Sequence, residues 1–231
     1  LNHINSEGIN IMTLEDPVEY PMALVRQTSV SESAKLDFAN GIRSMMRQDP
    51  DAILVGEIRD QDTAEMAFRA AMTGHQVYST LHTNSAIGAV PRLLDIGILP
   101  DIMAGNIIGV VAQRLIRKLC VHCKTPYQAE SGELRLLGIA AEMPRPVIFR
   151  PCGCERCDFQ GYRGRLAIME LLRVNGDMDE LIARRATARE MRKLARDMGF
   201  RALADDGLRR VLDGSTSIEE LGRVVDLTDR M

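Results

Sequence analysis

Four of the five cysteines fall into two pairs of one spacing, Cys120-x-x-Cys123 and Cys154-x-x-Cys157, with thirty residues between the pairs. Each such turn presents two thiolates to one point, and four thiolates at about 2.3 Å suit a tetrahedral Zn²⁺. Four thiolates leave no open coordination position, so the metal would fold a small lobe and do no catalysis. Disulfides or a thioredoxin-like redox pair are the alternatives. Thiols stay reduced in the cytosol, and two pairs in loop-rich text suit a redox motif poorly. Cys152 is the odd cysteine, and His122, inside the first knuckle, is expected to face solvent.

A second group is acidic. In D49-P-D-A-I-L-V-G-E-I-R-D60 a short apolar run ends at Glu57. That arrangement places a carboxylate at the carboxyl edge of a sheet, where open α/β folds bind ligands. There it can hold Mg²⁺ indirectly or orient a water against a terminal phosphate; an ordinary acid in a loop after a strand is the alternative. In T13-L-E-D-P-V-E-Y20 the carboxylates Glu15, Asp16 and Glu19 follow another apolar run. Like charges so close repel unless a cation sits among them, and Mg²⁺ shared with phosphates would be one; a solvated acidic turn is the other reading. In T73-G-H-Q-V-Y-S-T-L-H-T-N-S85, His75 and His82 bracket a third run. Seven apart, they point to opposite faces of a strand. One is read as structural, and His82, beside Thr80 and Thr83, as able to sense a phosphate.

The elements that must position these residues alternate. LNHINSEG reads as the end of a helix stopped near Gly8. Ile9 to Leu14, Ala52 to Val55 and Val77 to Leu81 read as strands. Helical spacing runs from Ser31 to about Arg47 and from Asp60 to Met72, with further helices from about Asn84 and from Pro100. This alternation predicts a parallel sheet with helices on both faces. From Cys120 to about Arg165 the periodicity fades. Beyond Ile168 short charged helices are expected, two of them opened by the reciprocal pairs Thr187 with Glu190 and Ser217 with Glu220. The 14 basic and 14 acidic residues of 158–231 read as a solvated helical surface.

Composition excludes several classes. The chain has 231 residues, 45% apolar and 26% charged, with a net charge of −3, the profile of a globular protein. The longest uncharged apolar stretch, 102–112, is too short to cross a bilayer. The first ten residues lack the basic start and apolar core of a signal. The absence of Trp, with aromatics at 4%, argues against a base-stacking surface.

Taken together, LEDPVEY, RQDPDAILVGEIRD and TGHQVYSTLHTN resemble, in order and spacing, the Asp box, Walker B and His box of the type II secretion and type IV pilus assembly ATPases (the GspE/PulE/PilB group). The resemblance continues through AQRLIRKLC and GYRGR and covers essentially the whole chain. It implies a RecA-like P-loop NTPase core, ATP with Mg²⁺, and Glu57 as the catalytic glutamate that polarises the attacking water. Glu15, Asp16 and Glu19 would help place Mg²⁺ and water, and His82 would monitor the γ-phosphate. Arg59, His75 and Thr83 would border the nucleotide. A four-cysteine lobe with structural Zn²⁺, a homo-hexamer, inner-membrane platform proteins as partners, and a cytoplasmic, peripheral location at the inner membrane are further implications; no nucleic acid is expected.

The expected architecture is therefore α/β: a partial RecA-like core over 1–119, a four-cysteine lobe over 120–165, and a carboxy-terminal helical bundle over 166–231. One departure stands out. The phosphate loop G-x-x-x-x-G-K-[ST], whose N–H groups and lysine hold the phosphates, is absent from this sequence. The expectation is that it lies upstream of Leu1, with the preceding domain, and that this chain alone does not turn over ATP. A neighbouring strand would then be left unpaired, an edge that a partner chain or a rearrangement would fill. The alternatives are a non-catalytic, zinc-stapled interaction module and a nucleic-acid motor.

Overall fold

The computed structural model describes residues 1–31 and 36–228. The chain divides into two compact units, 1–108 with 173–194, and 109–172 with 195 onward. The first unit thus takes back a later segment of the chain.

In the first unit β1 (Ile11–Glu15), β2 (Val25–Ser29), β3 (Ala52–Val55) and β4 (Gln76–Ser79) form one sheet in the order β2-β1-β3-β4. All three pairings are parallel, with Leu14 opposite Val55 and Val55 opposite Ser79. The carboxyl ends of β1, β3 and β4 therefore finish level. Ile11, Met12, Thr13 and Leu14 are all buried, so β1 is covered on both faces, as a parallel sheet requires. Helices α1 (Phe38–Met45) and α2 (Gln61–Met72) pack on each other, and α1 also lies against β1 and β3. Both begin at an aspartate that accepts a backbone N–H, Asp37 from Asn40 at 2.7 Å and Asp60 from Thr63 at 2.8 Å. Helices α3 (Ala89–Ile96), α4 (Pro100–Met103) and α6 (Gly176–Ala183) complete the unit. Here α4 packs on α6, and Asp179 accepts the N–H of Gly105 at 2.7 Å.

Several expected boundaries move. Residues 1–8 make turns, with Ile4 N–H donating to Leu1 O, where a helix end was expected. The helix expected from Ser31 starts at Phe38, because the Asp37 cap sets its origin and Ser31 pairs with Leu36 in a β-bridge; residues 32–35 of that expectation lie outside the described residues. The helix expected near Asn84 starts at Ala89, after a turn in which Ser85 Oγ accepts the N–H of Gly88.

In the second unit β5 (Gly109–Leu119) pairs with β8 (Tyr162–Arg173). The strands run antiparallel: Cys120 N–H donates to Gly161 O at one end and Val174 N–H to Ile108 O at the other. β6 (Thr125–Gln128) and β7 (Val147–Arg150) pair antiparallel around α5 (Ser131–Leu137). With α8 (Leu203–Leu212) and α9 (Ile218–Val224) they enclose a core of Ile116, Leu134, Ile148, Ile168, Val211 and Leu221. Helix α7 (Ala188–Asp197) carries the chain from the first unit to the second. The helix expected from Pro100 is a single turn, and Gly109 onward is strand. Likewise β8 runs five residues past Ile168, where helices were expected. In β8 buried residues alternate, at Ile168, Glu170 and Leu172; in β5 Ala112 and Ile116 share one face, and Leu119 at the strand's end is buried as well.

The reciprocal helix start holds at Thr187 and Glu190, where each side chain accepts the other's backbone N–H. At Ser217 only half forms. Ser217 Oγ accepts the N–H of Glu220 at 3.1 Å, but the Glu220 carboxylate turns away to accept from Arg117 Nε at 2.8 Å and Arg223 Nε at 2.9 Å. Arg117 also lies 4.1 Å from the Tyr162 ring centroid, and the Tyr162 hydroxyl meets Ser217 Oγ at 2.7 Å. This knot fastens α9 to β5. Among the described residues no helix is long and apolar enough to cross a membrane.

Candidate functional site

Two places concentrate chemistry, one in each unit. The first is the carboxyl edge of the parallel sheet. Gly56 follows β3 and donates its N–H to Leu14 O at 2.7 Å. A Cβ there would stand 3.0 Å from that carbonyl oxygen and 3.3 Å from Glu15 Cα, so only glycine lets the two strand ends approach. Glu15, at the end of β1, and Glu57, two residues past β3, therefore lie at the same edge of the sheet. Beyond β4, Ile58 N–H donates to Thr80 O at 3.0 Å and Thr80 Oγ1 to Gly56 O at 2.7 Å. These bonds draw the loop after β4 over to Glu57.

The Glu57 carboxylate is only 14% exposed, and its Oε2 carries both of its charged contacts, Arg59 Nε at 2.6 Å and His82 Nε2 at 3.4 Å. The second becomes an ion pair when the imidazole is protonated. Glu15 is held differently: its Oε1 accepts from Thr13 Oγ1 at 2.5 Å and from Gln27 Nε2 at 2.9 Å. Gln27 is itself fixed, donating to Tyr20 O and accepting the N–H of Met22. Asp16 and Glu19 are exposed in the loop after β1, which carries a cis Asp16–Pro17 peptide bond.

Glu15, Glu57, Arg59 and His82 thus come to one edge, with Asp16 in the adjoining loop. His75 does not join them. It precedes β4, at the opposite end of a strand about 13 Å long, and its Nδ1 lies 3.0 Å from both Thr73 Oγ1 and Ala70 O, the partners of a structural histidine. Thr83 Oγ1 donates to Ser85 O in the turn leading to α3. Sequence reasoning missed Thr13 and Gln27. Thr13 was findable, two residues before Glu15 on one strand face; Gln27 becomes its neighbour only through the β1–β2 register.

The second place is the cysteine cluster. Cys120 follows β5, and Cys157 closes a 3₁₀ turn, Glu155–Cys157, ahead of β8. The Sγ atoms of Cys120, Cys123, Cys154 and Cys157 all lie within 4.8 Å of one another. Cys120–Cys154 is 3.9 Å, and Cys123–Cys157 and Cys154–Cys157 are 3.8 Å. A tetrahedron with metal–sulfur bonds of about 2.3 Å has edges of about 3.8 Å, so the spacing fits Zn²⁺, whereas a disulfide would need about 2.05 Å. Backbone N–H groups aim at the sulfurs, Gly153 at Cys123 and both Cys154 and Gly161 at Cys157, each at 3.3 Å. Burial pushes Cys123 up to about 12 and raises Cys154. Burial acts the same way on Cys157, but the N–H donors of Cys154 and Gly161 outweigh it and bring that thiol down to about 7. Cys152 is exposed, outside the cluster. His122 is exposed and stands 3.1 Å from the Arg156 guanidinium.

Residues 1–223 match the family model described as type II/IV secretion system protein. The chain is 47% identical over 224 residues to the type II secretion system protein E of Pseudomonas aeruginosa, covering 97% of this chain and 44% of that protein. It is 42% identical over 229 residues to the type IV pilus assembly ATPase TfpB of Acinetobacter baylyi, covering 99% and 39%. The chain therefore spans less than half the length of these curated relatives. Among solved structures, the pilus retraction motor PilT with bound ADP superposes with a TM-score of 0.69 at 27% identity, over 96% of this chain and 54% of that one. The ATPase DotB of Legionella pneumophila shares the fold at a TM-score of 0.65 and 21% identity, over 95% and 52%. A match that runs nearly end to end, at identities well above what a shared fold alone produces, leads to one conclusion: the chain belongs to the type II/IV secretion system protein family.

Proposed function

We propose that this chain is the Glu57-bearing part of an ATP-hydrolysing motor that powers protein secretion across the outer membrane or type IV pilus assembly. One observation carries the reading: a largely buried carboxylate at the carboxyl edge of the parallel sheet, with both charged contacts on Oε2. That leaves Oε1 to accept a proton from water as the water oxygen attacks the γ-phosphorus and ADP leaves. Arg59 and His82 fix the rotation of the carboxylate, and His82, on the loop tied to Gly56 through Thr80, would register the terminal phosphate. Glu15, oriented by Thr13 and Gln27, would hold Mg²⁺ through water together with Asp16 and Glu19; when bound, the ion neutralises charge on the phosphate oxygens. The four thiolates would hold Zn²⁺ as a structural ion.

The relatives are more than twice as long, and no phosphate loop occurs in this sequence. Turnover is therefore assigned to the full-length protein and not to these residues alone. We place that protein in a homo-hexamer on the cytoplasmic face of the inner membrane, held there by platform proteins. The test is Glu57→Gln in the full-length protein. Turnover should fall by about 10²–10⁴-fold, the range of general-base catalysis, with nucleotide binding kept. Retained turnover would sink the assignment.

A further inference from the structure

Residues 184–196 hold six cations, Arg184, Arg185, Arg189, Arg192, Lys193 and Arg196, against one acid, Glu190. The even balance of the carboxy-terminal third therefore hides a segregation that only the helix makes visible. Glu190 is already engaged, with the N–H of Thr187 and with Arg184 at 3.0 Å. Arg189, Arg192, Lys193 and Arg196 stand at i, i+3, i+4 and i+7 of α7, the spacing that puts side chains on one face. All four are exposed, while Met191 and Ala195 are buried on another side of the helix. None of the four side chains has a hydrogen-bond or ion-pair partner among the described residues. Like charges at this spacing destabilise a helix, and Arg189 sits in the first turn, the end that disfavours cations. Arg196, in the last turn, suits the helix dipole; helix stability does not explain the other three.

We infer that this face of α7 is a docking surface for an acidic helical segment of a partner protein, one that presents carboxylates at the same i, i+3, i+4, i+7 spacing. Three of the four cations are arginine, whose planar fork pairs with carboxylates bidentately. The stripe runs about 10 Å along the helix, two turns at ~1.5 Å per residue, and matches two turns of a partner helix. A bilayer fits less well, because the apolar side chains that would insert, Met191 and Ala195, are buried in the protein. Nucleic acid fits less well too, since 184–199 contains no aromatic residue and the chain is net acidic.

The probe is a synthetic helical peptide with glutamates at that spacing, read by fluorescence anisotropy on the full-length protein. Controls are the same composition with the glutamates moved out of register, phosphatidylglycerol vesicles, and duplex DNA. The spaced peptide should bind about fivefold or more tighter than the scrambled one, as paired bidentate contacts require. Binding should weaken about tenfold between roughly 50 and 200 mM salt, as exposed charge pairs do. In R189Q/R192Q/K193Q/R196Q it should fall about tenfold or more while the melting temperature holds. If that variant misfolds, R192Q/K193Q serves with a smaller expected loss. The proposal is overturned by no binding at low salt, by equal binding of either peptide or of the variant, or by vesicles or duplex binding more tightly than the spaced peptide.

Discussion

At the thiol cluster four sulfurs lie within 4.8 Å of one another and three backbone N–H groups are spent on two of them. At the sheet edge Glu57 is held by Arg59 and His82, whose side chains are 67% and 82% exposed. Both places group acidic side chains on loops after strands, yet one is fixed by backbone and the other by side chains that water reaches. The difference suits the roles proposed for the two places. A structural metal site would work by never moving, and orienting donors from the backbone cannot swing away. A carboxylate that exchanged its contacts with water and phosphate during turnover would need partners able to let go.

The largest effect that would separate the two is metal removal. If Zn²⁺ occupies the cluster, its binding contributes folding free energy of about 10–16 kcal/mol by analogy with zinc-finger peptides. A chelator, or Cys154→Ser, should then unfold the lobe and make its thiols titratable by a disulfide reagent. Unchanged thiol reactivity and an unchanged melting curve would break the comparison from the thiol side.

A smaller effect lies at Glu220, which is fully buried. Burial pushes its carboxyl up, but hydrogen bonds from Arg223 and Arg117 prevail and hold it at about 2. A carboxyl depressed in the folded state adds stability above its unfolded value, and that stability is lost as pH falls from about 4.5 toward 2. Glu220→Gln should cost about 3 kcal/mol at pH 7 and converge with the parent near pH 2 in urea melts. Parallel losses at both pH values would mean that the carboxylate charge carries nothing.

The smallest effect sharpens the sheet-edge half. Arg59→Ala in the full-length protein should lower kcat by about tenfold through misplacement of the carboxylate and leave KM and melting unchanged. A fall in stability with kcat kept would make Arg59 a structural residue.

The parallel sheet was readable because β1 and β3 are short apolar runs bounded by acids and turns, and α2 announces itself through Asp60 and alanine-rich spacing. β5 and β8 were not. Their outer faces carry Val111, Leu115, Met169 and Leu171, all at least half exposed, and apolar residues on both faces erase the alternation that marks a strand. Glu57 and His82 could be paired in advance because a parallel register carries them to one edge. His75 stands before β4 and His82 after it, so chain order already set them at opposite ends of the strand; only the family resemblance drew His75 toward the nucleotide. The Arg117–Glu220 pair, 103 positions apart, left only a misleading local trace, a helix-start glutamate whose carboxylate was needed elsewhere.

The rung from Cys120 N–H to Gly161 O has a consequence for how the lobe can vary. Beside it the two knuckles bring 120–123 and 154–157 together, so the segment between them leaves and re-enters the fold at one place. Its ends are pinned irrespective of its length. Extra residues in the exposed stretch 140–145, between α5 and β7, would lengthen an outward loop without changing the β5–β8 register. Loop closure penalises such growth only logarithmically, about 0.6 kcal/mol per doubling, and this is where sequences of this architecture have room to differ in length.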